Sequence, residues 1–291
     1  MAKRSLRNSA GVPFLTLKGF FVVRGKQMPD GDTISFAASK RYSSGPVKTN
    51  VPVNSTGQRT VNIRLQSIDS PEKAQPLGAA SRNALLRHLG FDPDALGLAD
   101  DDFTASGTPK KVVGWIATHG LDGNQRPLAY LFRGNPGFSH GRVESAADIM
   151  TVLRSSANYQ QTTRGWAFPA FYENTDEAHA LVFQQGGETA RNSKRGVWVA
   201  DVTTTGFVPT KDALGASGAL VYPKFFRRVQ KWMNAKPNAA SFINWLKRQR
   251  DGKKLVQGAL PSAVPLWQLF EVVSARKVAV PYDVIKLWFT E

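Results

Sequence analysis

The chain of 291 residues contains no cysteine, which removes disulfides and every thiolate metal site from consideration. Histidine is scarce as well. The four present, at 88, 119, 140 and 179, show neither zinc-site nor triad spacing. No apolar run approaches the roughly 20 residues that cross a bilayer. The start Met1-Ala-Lys-Arg-Ser-Leu-Arg has the charge of a secretion signal, but the stretch after it is broken by Pro13, Thr16 and Lys18-Gly19 and lacks a cleavage-site pattern. These absences predict a cytoplasmic protein that does not enter a membrane. No internal repeat or low-complexity tract is visible.

Acidic residues are outnumbered. Against 38 Lys plus Arg stand 22 Asp plus Glu, a net charge of +16. Such a balance concentrates polyanions around a protein, and nucleic acid is the commonest polyanion partner. A merely soluble surface is the plain alternative. The length exceeds a single small barrel and leaves room for a second unit. The expected division is a flexible basic N-terminus (1–13), a first domain (14–204) and a basic, aromatic-rich C-terminal domain (205–291). That last segment holds 14 Lys plus Arg against 5 Asp plus Glu, so it carries +9 of the total.

Along 14–204, short β-rich runs alternate with Gly, Pro and Asp breaks. Strands are expected at Phe14–Val23, Thr33–Ala38, Arg59–Ile68, Lys111–Thr118 and Arg126–Phe132. Residues 39–57, rich in Ser, Gly, Pro and Asn, read as a flexible loop or an extended hairpin. Helices are expected at Pro76–Leu89, Asn158–Phe168 and Thr175–Asn192, and residues 134–156 look inserted. Acids at 92, 94 and 100–102 mark a loop. Five short strands closed as a Greek key give an OB-type barrel, so the fold class is α+β: a five-stranded barrel with three helices, followed by a mainly helical C-terminal domain. There, Pro223 opens a helix with Phe225, Val229, Trp232 and Met233 on one stripe and Lys224, Arg227, Arg228 and Lys231 on another. Asn238 caps a second helix that ends at Gly252, and the tryptophans at 232, 245, 267 and 288 take core positions.

The chemistry concentrates in Arg64-Leu65-Gln66-Ser67-Ile68-Asp69-Ser70-Pro71-Glu72, with Asp30-Gly31-Asp32-Thr33 before it and Arg126 after it. Phosphodiester cleavage calls for oxygen ligands around a hard cation, a base for water and cationic donors facing the phosphate. The acids and arginines here supply each part. An isolated Asp-Gly-Asp is usually only a turn, and Arg64 alone would be an ordinary exposed strand residue. With strict alternation, Leu65 and Ser67 point opposite to Arg64, Gln66 and Ile68. The turn at Asp69-Ser70-Pro71 then throws Glu72 to the side.

These segments, together with Asp122-Gly-Asn-Gln-Arg126-Pro-Leu-Ala-Tyr130, Arg164-Gly165-Trp166-Ala167 and Lys194-Arg195-Gly196-Val197-Trp198, resemble the staphylococcal nuclease-like (thermonuclease) family over roughly residues 14–201. The resemblance implies that Asp32 and Asp69 are calcium ligands, with the Ser70 carbonyl a third and Glu72 close through water. It implies that Glu72 orients or deprotonates that water and that Arg64 and Arg126 grip the scissile phosphate. Family members cut DNA or RNA with little sequence preference and leave 3'-phosphate ends. This chain departs from the pattern at Gln125 and Pro127, where Gly is usual. The pair that holds a terminal nucleotide phosphate becomes Gly123-Asn124, and the substrate-facing aromatic falls near Phe171 or Tyr172.

The expected activity is therefore a metal-dependent nuclease using Ca2+, with Mg2+ or Mn2+ possible. Lys224, Arg227, Arg228 and Lys231 are expected to bind substrate along a phosphate backbone, outside the chemistry. Two other readings remain open: a non-cleaving nucleic-acid-binding OB module with a partner-recruiting tail, and an interaction protein in which cleavage is incidental.

Overall fold

The structure is a computed structural model that describes residues 11–26, 29–98, 104–106, 110–235, 242–258 and 260–290. The expected flexible segment therefore lies outside the described residues for 1–10, as do the acids at 100–102 and the Asn238 cap.

Strands β1 (Phe14–Val23), β2 (Thr33–Ala38), β3 (Val61–Leu65), a two-residue β4 (Ile68–Asp69), β5 (Lys110–Leu121) and β6 (Pro127–Phe132) fall where short apolar runs lie between turn formers. β1 pairs with β2 through Gly19 and Ala38, and with β5 from Leu15–Thr118 to Val23–Lys110. β2 pairs with β3, β3 runs parallel to β6, and β6 returns antiparallel to β5. The circuit β1-β2-β3-β6-β5 closes on β1. The fold is mixed α+β around a closed five-stranded barrel, whose closure leaves these five strands paired on both sides. Leu17, Phe21, Phe36, Ile63, Leu65, Ile116 and Leu131 are buried in its core.

Helix α1 (Gly78–Leu89) follows β4. Residues 39–57 form neither a hairpin nor a loose loop. Val47 and Val51 are buried, Tyr42 Oη donates to the Val51 carbonyl at 2.5 Å, and Val53 bridges Ala38. The stretch that looked inserted contributes β7 (Arg142–Glu144), which extends the sheet beyond β1, and α2 (Ala146–Val152), which begins with a Ser145–Asp148 capping box. Then come α3 (Ala157–Thr163), β8 (Phe168–Pro169), β9 (Phe171–Tyr172), α4 (Glu177–Asn192) and α5 (Val197–Ala200).

The C-terminal segment differs from the expectation of a mainly helical unit. Two helices, α6 (Pro223–Asn234) and α7 (Phe242–Arg248), are accompanied by short strands β10 (Leu255–Gln257), β11 (Val264–Pro265), β12 (Glu271–Ser274), β13 (Lys277–Ala279) and β14 (Trp288–Phe289). β14 pairs in parallel with β9, so the end of the chain adds to a sheet begun before residue 204. A second core gathers Phe225, Val229, Phe242, Leu246 and Phe289 with Phe168, Ala170 and Val197 from the preceding region. Tyr222 Oη also donates to the Pro169 carbonyl at 3.0 Å. Apolar contact and backbone pairing therefore fasten the C-terminal segment to β8, β9 and α5. Of the four tryptophans expected at core positions, Trp288 is fully buried in the first core, and Trp232, Trp245 and Trp267 pack partly buried against the second.

Candidate active site

The third strand does not alternate through to Ile68. Ser67 takes a left-handed backbone (φ 64°), which ends β3 and starts β4 in a new direction. β4 pairs with β8, and Asp69 is wholly buried opposite Phe168. At the Asp-Gly-Asp turn, a Cβ on Gly31 would come within 2.0 Å of Ser81 Oγ and 2.8 Å of Ser70 Cβ, so the close approach of the two turns requires glycine. Asp32 then accepts the Ser70 N–H at 2.8 Å through Oδ2. Arg64 forks between the two acids. One side-chain nitrogen contacts Asp32, and another reaches Asp69 Oδ1 at 2.9 Å and the Ile68 carbonyl at 3.0 Å.

Arg126 is aimed by its own loop. Asp122 accepts the N–H groups of Asn124 and Arg126 at 2.9 and 2.8 Å, and takes the Arg126 guanidinium at 2.7 and 2.8 Å. Gln125, where the resemblance calls for Gly, does adopt a positive φ of 61°. The loop keeps the glycine-type backbone without the glycine.

A third arginine comes from α6. Arg227 meets Asp69 at 2.8 and 3.1 Å and Glu72 at 2.5 Å. It belongs to the four residues expected to line an exposed phosphate track, and the structure separates them. Lys224 and Arg228 are more than nine-tenths buried, Arg227 is inside the acid cluster, and only Lys231 is out in solvent, paired with Asp251 at 2.6 Å. The stripe is covered because the apolar residues flanking it belong to the second core, which brings Lys224 against Tyr172 and Phe289.

Burial works against ionisation of Asp69, but Arg227 and Arg64 outweigh it and hold the pKa at about 2. Burial, then the neighbouring Asp32, lift Asp30 to about 7. Glu72 is raised by burial, with Arg227 pulling the other way. Burial lowers Lys224 well below the ordinary lysine range, and the nearby Arg228 and Arg227 add to this.

The groups surround a cavity of about 650 Å³ between barrel and α6, lined by Asp30, Asp32, Arg64, Ser70, Glu72, Arg126, Tyr172 and, from the other wall, Lys224, Arg227, Arg228 and Lys254. Tyr172 rather than the core residue Phe171 faces it. Gly123 and Asn124 line it and bring no charge.

Three positioning residues escaped sequence reasoning. Asn158 Nδ2 donates to the carbonyls of Gln66 and Ala129, both at 2.9 Å, bracing the strand break. Gln161, one turn further on α3, donates to the Gly31 and Ser81 carbonyls at 3.0 Å. Gln75 accepts the Glu72 N–H at 3.1 Å and donates to the Val221 carbonyl at 2.6 Å, tying the Glu72 turn to the segment before α6. The i, i+3 amides of α3 were the available signal. The glycines of the Arg164-Gly165 and Arg195-Gly196 motifs serve packing: the Gly165 carbonyl accepts the Val197 N–H at 2.8 Å where the two backbones cross.

As metal ligands, Asp32, Asp69, the Ser70 carbonyl and Glu72 offer the hard oxygens that calcium prefers. Asp30, raised to about 7 by burial and by Asp32, lines the same cavity and would be drawn toward its charged form by a cation. The donor set thus fits a divalent ion by its chemistry. Among the described residues, however, no three acidic or histidine side chains converge as ligands, because Arg64 and Arg227 stand between the carboxylates. Among the same residues no helix is long and apolar enough to cross a membrane. Comparison with protein-family models and with curated proteins yields no match to this chain.

Proposed function

We propose that the chain is a metal-dependent phosphodiesterase that hydrolyses DNA or RNA with little sequence preference and leaves 3'-phosphate ends. The observation that carries this reading is one cavity in which Asp30, Asp32 and Glu72 face Arg64, Arg126 and Arg227, with Asp69 beneath. Asp32 and Asp69, with the Ser70 carbonyl, would hold calcium, or magnesium or manganese in its place. When bound, the cation polarises the phosphate and offsets its charge. Glu72 is partly exposed at the cavity wall, where it can orient a water and accept its proton. Arg126, one edge clamped by Asp122 and its third nitrogen 3.5 Å from Thr33 Oγ1, would face phosphate oxygens from the cavity wall, and Arg64 from the barrel side.

The alternative, a non-cleaving nucleic-acid-binding module, is favoured by one observation: Arg227 occupies both oxygens of Asp69. Digestion of single-stranded DNA, duplex DNA and RNA by the purified chain in calcium, magnesium, manganese or chelator separates the two. Cleavage that chelator abolishes supports the nuclease. Binding without cleavage in every cation supports the module.

A further inference from the structure

The wall that α6 turns toward the cavity carries more positive charge than its acids neutralise. Arg64, Arg126 and Arg227 each hold a carboxylate. Lys224 makes no ion pair among the described residues. Its ammonium lies 4.3 and 4.4 Å from the ring centroids of Tyr172 and Phe289, and its one hydrogen bond is to Tyr172 Oη at 3.2 Å. An ammonium has three donors, so two remain. Having accepted from Lys224, the Tyr172 hydroxyl still has its own proton to give. Arg228 donates to the Lys224 carbonyl at 3.0 Å, reaches its only carboxylate, Asp251, at 3.8 Å, and its buried Nε has no acceptor. Lys254 lines the same wall, likewise without an ion pair among the described residues. Lys224 and Arg228 are buried and Lys254 partly so, and keeping the buried pair charged is costly unless an anion completes them.

We infer that Lys224, Arg228, Lys254 and Tyr172 form a second phosphate subsite, which takes the phosphate next to the one held by Arg64 and Arg126. The cavity's volume is in the range that encloses a ligand of small-molecule size, which is a short single-stranded segment and not a duplex. The substrate class that follows is the single-stranded end, bound most tightly when it carries a terminal phosphate. The inference rests on the nuclease reading for the identity of the first phosphate. The subsite itself requires only that the chain bind a phosphorylated oligonucleotide.

Binding is therefore measured without turnover. In chelator, calorimetry compares the thymidine dinucleotide TpT with its 5'-phosphorylated and 3'-phosphorylated forms, with inorganic phosphate as competitor. One phosphorylated form should bind about tenfold or more tightly than TpT, since charge-assisted bonds to phosphate are the strong class, and inorganic phosphate should erase the gain. Lys224→Gln and Lys254→Gln should each remove most of the difference. Tyr172→Phe, which keeps the ring packing, should reduce it several-fold with an unchanged circular dichroism spectrum. Equal binding of all three dinucleotides overturns the subsite, as does a gain that survives all three substitutions. A chain that binds the phosphorylated end selectively yet cuts nothing in any cation keeps the subsite and removes the nuclease. One that cuts but ignores the terminal phosphate does the reverse.

Discussion

Arg227 reaches across 158 residues of chain to hold Asp69 by both carboxylate oxygens, at 3.1 and 2.8 Å. Arg64, only five residues before Asp69, holds the same group at 2.9 Å. One wholly buried carboxylate therefore joins the barrel's own arginine to an arginine of the C-terminal segment. Because Arg227 also touches Glu72, that segment is part of the candidate site and not an appendage to it.

Arg227→Ala leaves Asp69 with one arginine and frees Glu72. Hydrogen bonds to charged groups contribute about 1.5–3 kcal/mol, and Arg227 is itself partly exposed, so a loss of about 1–3 kcal/mol is expected by urea denaturation in chelator. Arg227→Lys should recover only part of it, since an ammonium cannot fork across two oxygens. If calcium takes over the vacated carboxylates, it should raise the melting temperature of Arg227→Ala more than that of the parent chain. An unchanged urea midpoint would show that the contact is not held in solution.

Glu72→Gln and Arg126→Ala are the clean probes of the chemistry. Each should lower turnover by about 100- to 10,000-fold with the fold intact, the usual loss for a positioned base or transition-state donor. In Arg126→Ala, Asp122 still caps the Asn124 N–H and the N–H of residue 126, so the loop survives. Arg64→Ala should cut turnover as deeply but also lower the melting temperature, because Asp32 and Asp69 both lose a partner. Near-parental rates in Glu72→Gln and Arg126→Ala would remove them from the mechanism.

Gln125→Gly tests the loop that aims Arg126. A non-glycine residue at φ 61° carries a penalty of about 1–2 kcal/mol, and glycine's greater unfolded-state freedom takes back about 0.5–1. The substitution should therefore stabilise the chain by up to about 1.5 kcal/mol and leave turnover within about twofold. The contact from Asn50 Nδ2, at 2.8 Å, is to the main-chain carbonyl and persists. Destabilisation would mean that the Gln125 side chain holds the loop.

The barrel was legible because its information is local. β1 and β2 match their expected bounds residue for residue, being apolar runs closed off by Gly, Pro and Asp. The acids and Arg64 lie within a few residues of a single turn, so their convergence could be read along the chain. Ser67 could not: serine has no bias toward positive φ, and only the fold imposes it, which is why alternation misplaced the end of the third strand. The C-terminal strands, two to four residues long, are too short to show a period. The burial of Lys224 and Arg228 depends on what α6 packs against, and helical spacing shows a stripe without saying whether water or another part of the chain covers it.

The last prediction concerns His179, which is fully buried. Its Nε2–H donates to the Ala146 carbonyl at 2.8 Å, and its Nδ1 accepts from Tyr130 Oη at 3.2 Å, the hydroxyl in turn lying 3.2 Å from Ser67 Oγ. Both ring nitrogens are used by the neutral imidazole, and burial lowers the pKa below its ordinary 6.5. Below that pH the unfolded chain takes up a proton that the folded chain refuses. The stability held by neutral His179 is thus complete above pH 6.5 and declines as the pH falls through 6.5 toward the folded-state value. The limiting slope is about 1.4 kcal/mol per pH unit. His119, lowered to about 4, acts in the same direction, while Asp30, raised to about 7, acts in the opposite one across the same range. The comparison must therefore be with a variant and not with the bare profile. His179→Gln should cost about 1–2 kcal/mol at pH 7.5 through lost packing and hydrogen bonds, and that cost should shrink steadily between pH 6.5 and 5 in urea titrations run in chelator. Parallel profiles for the two chains would show that His179 does not titrate differently on folding.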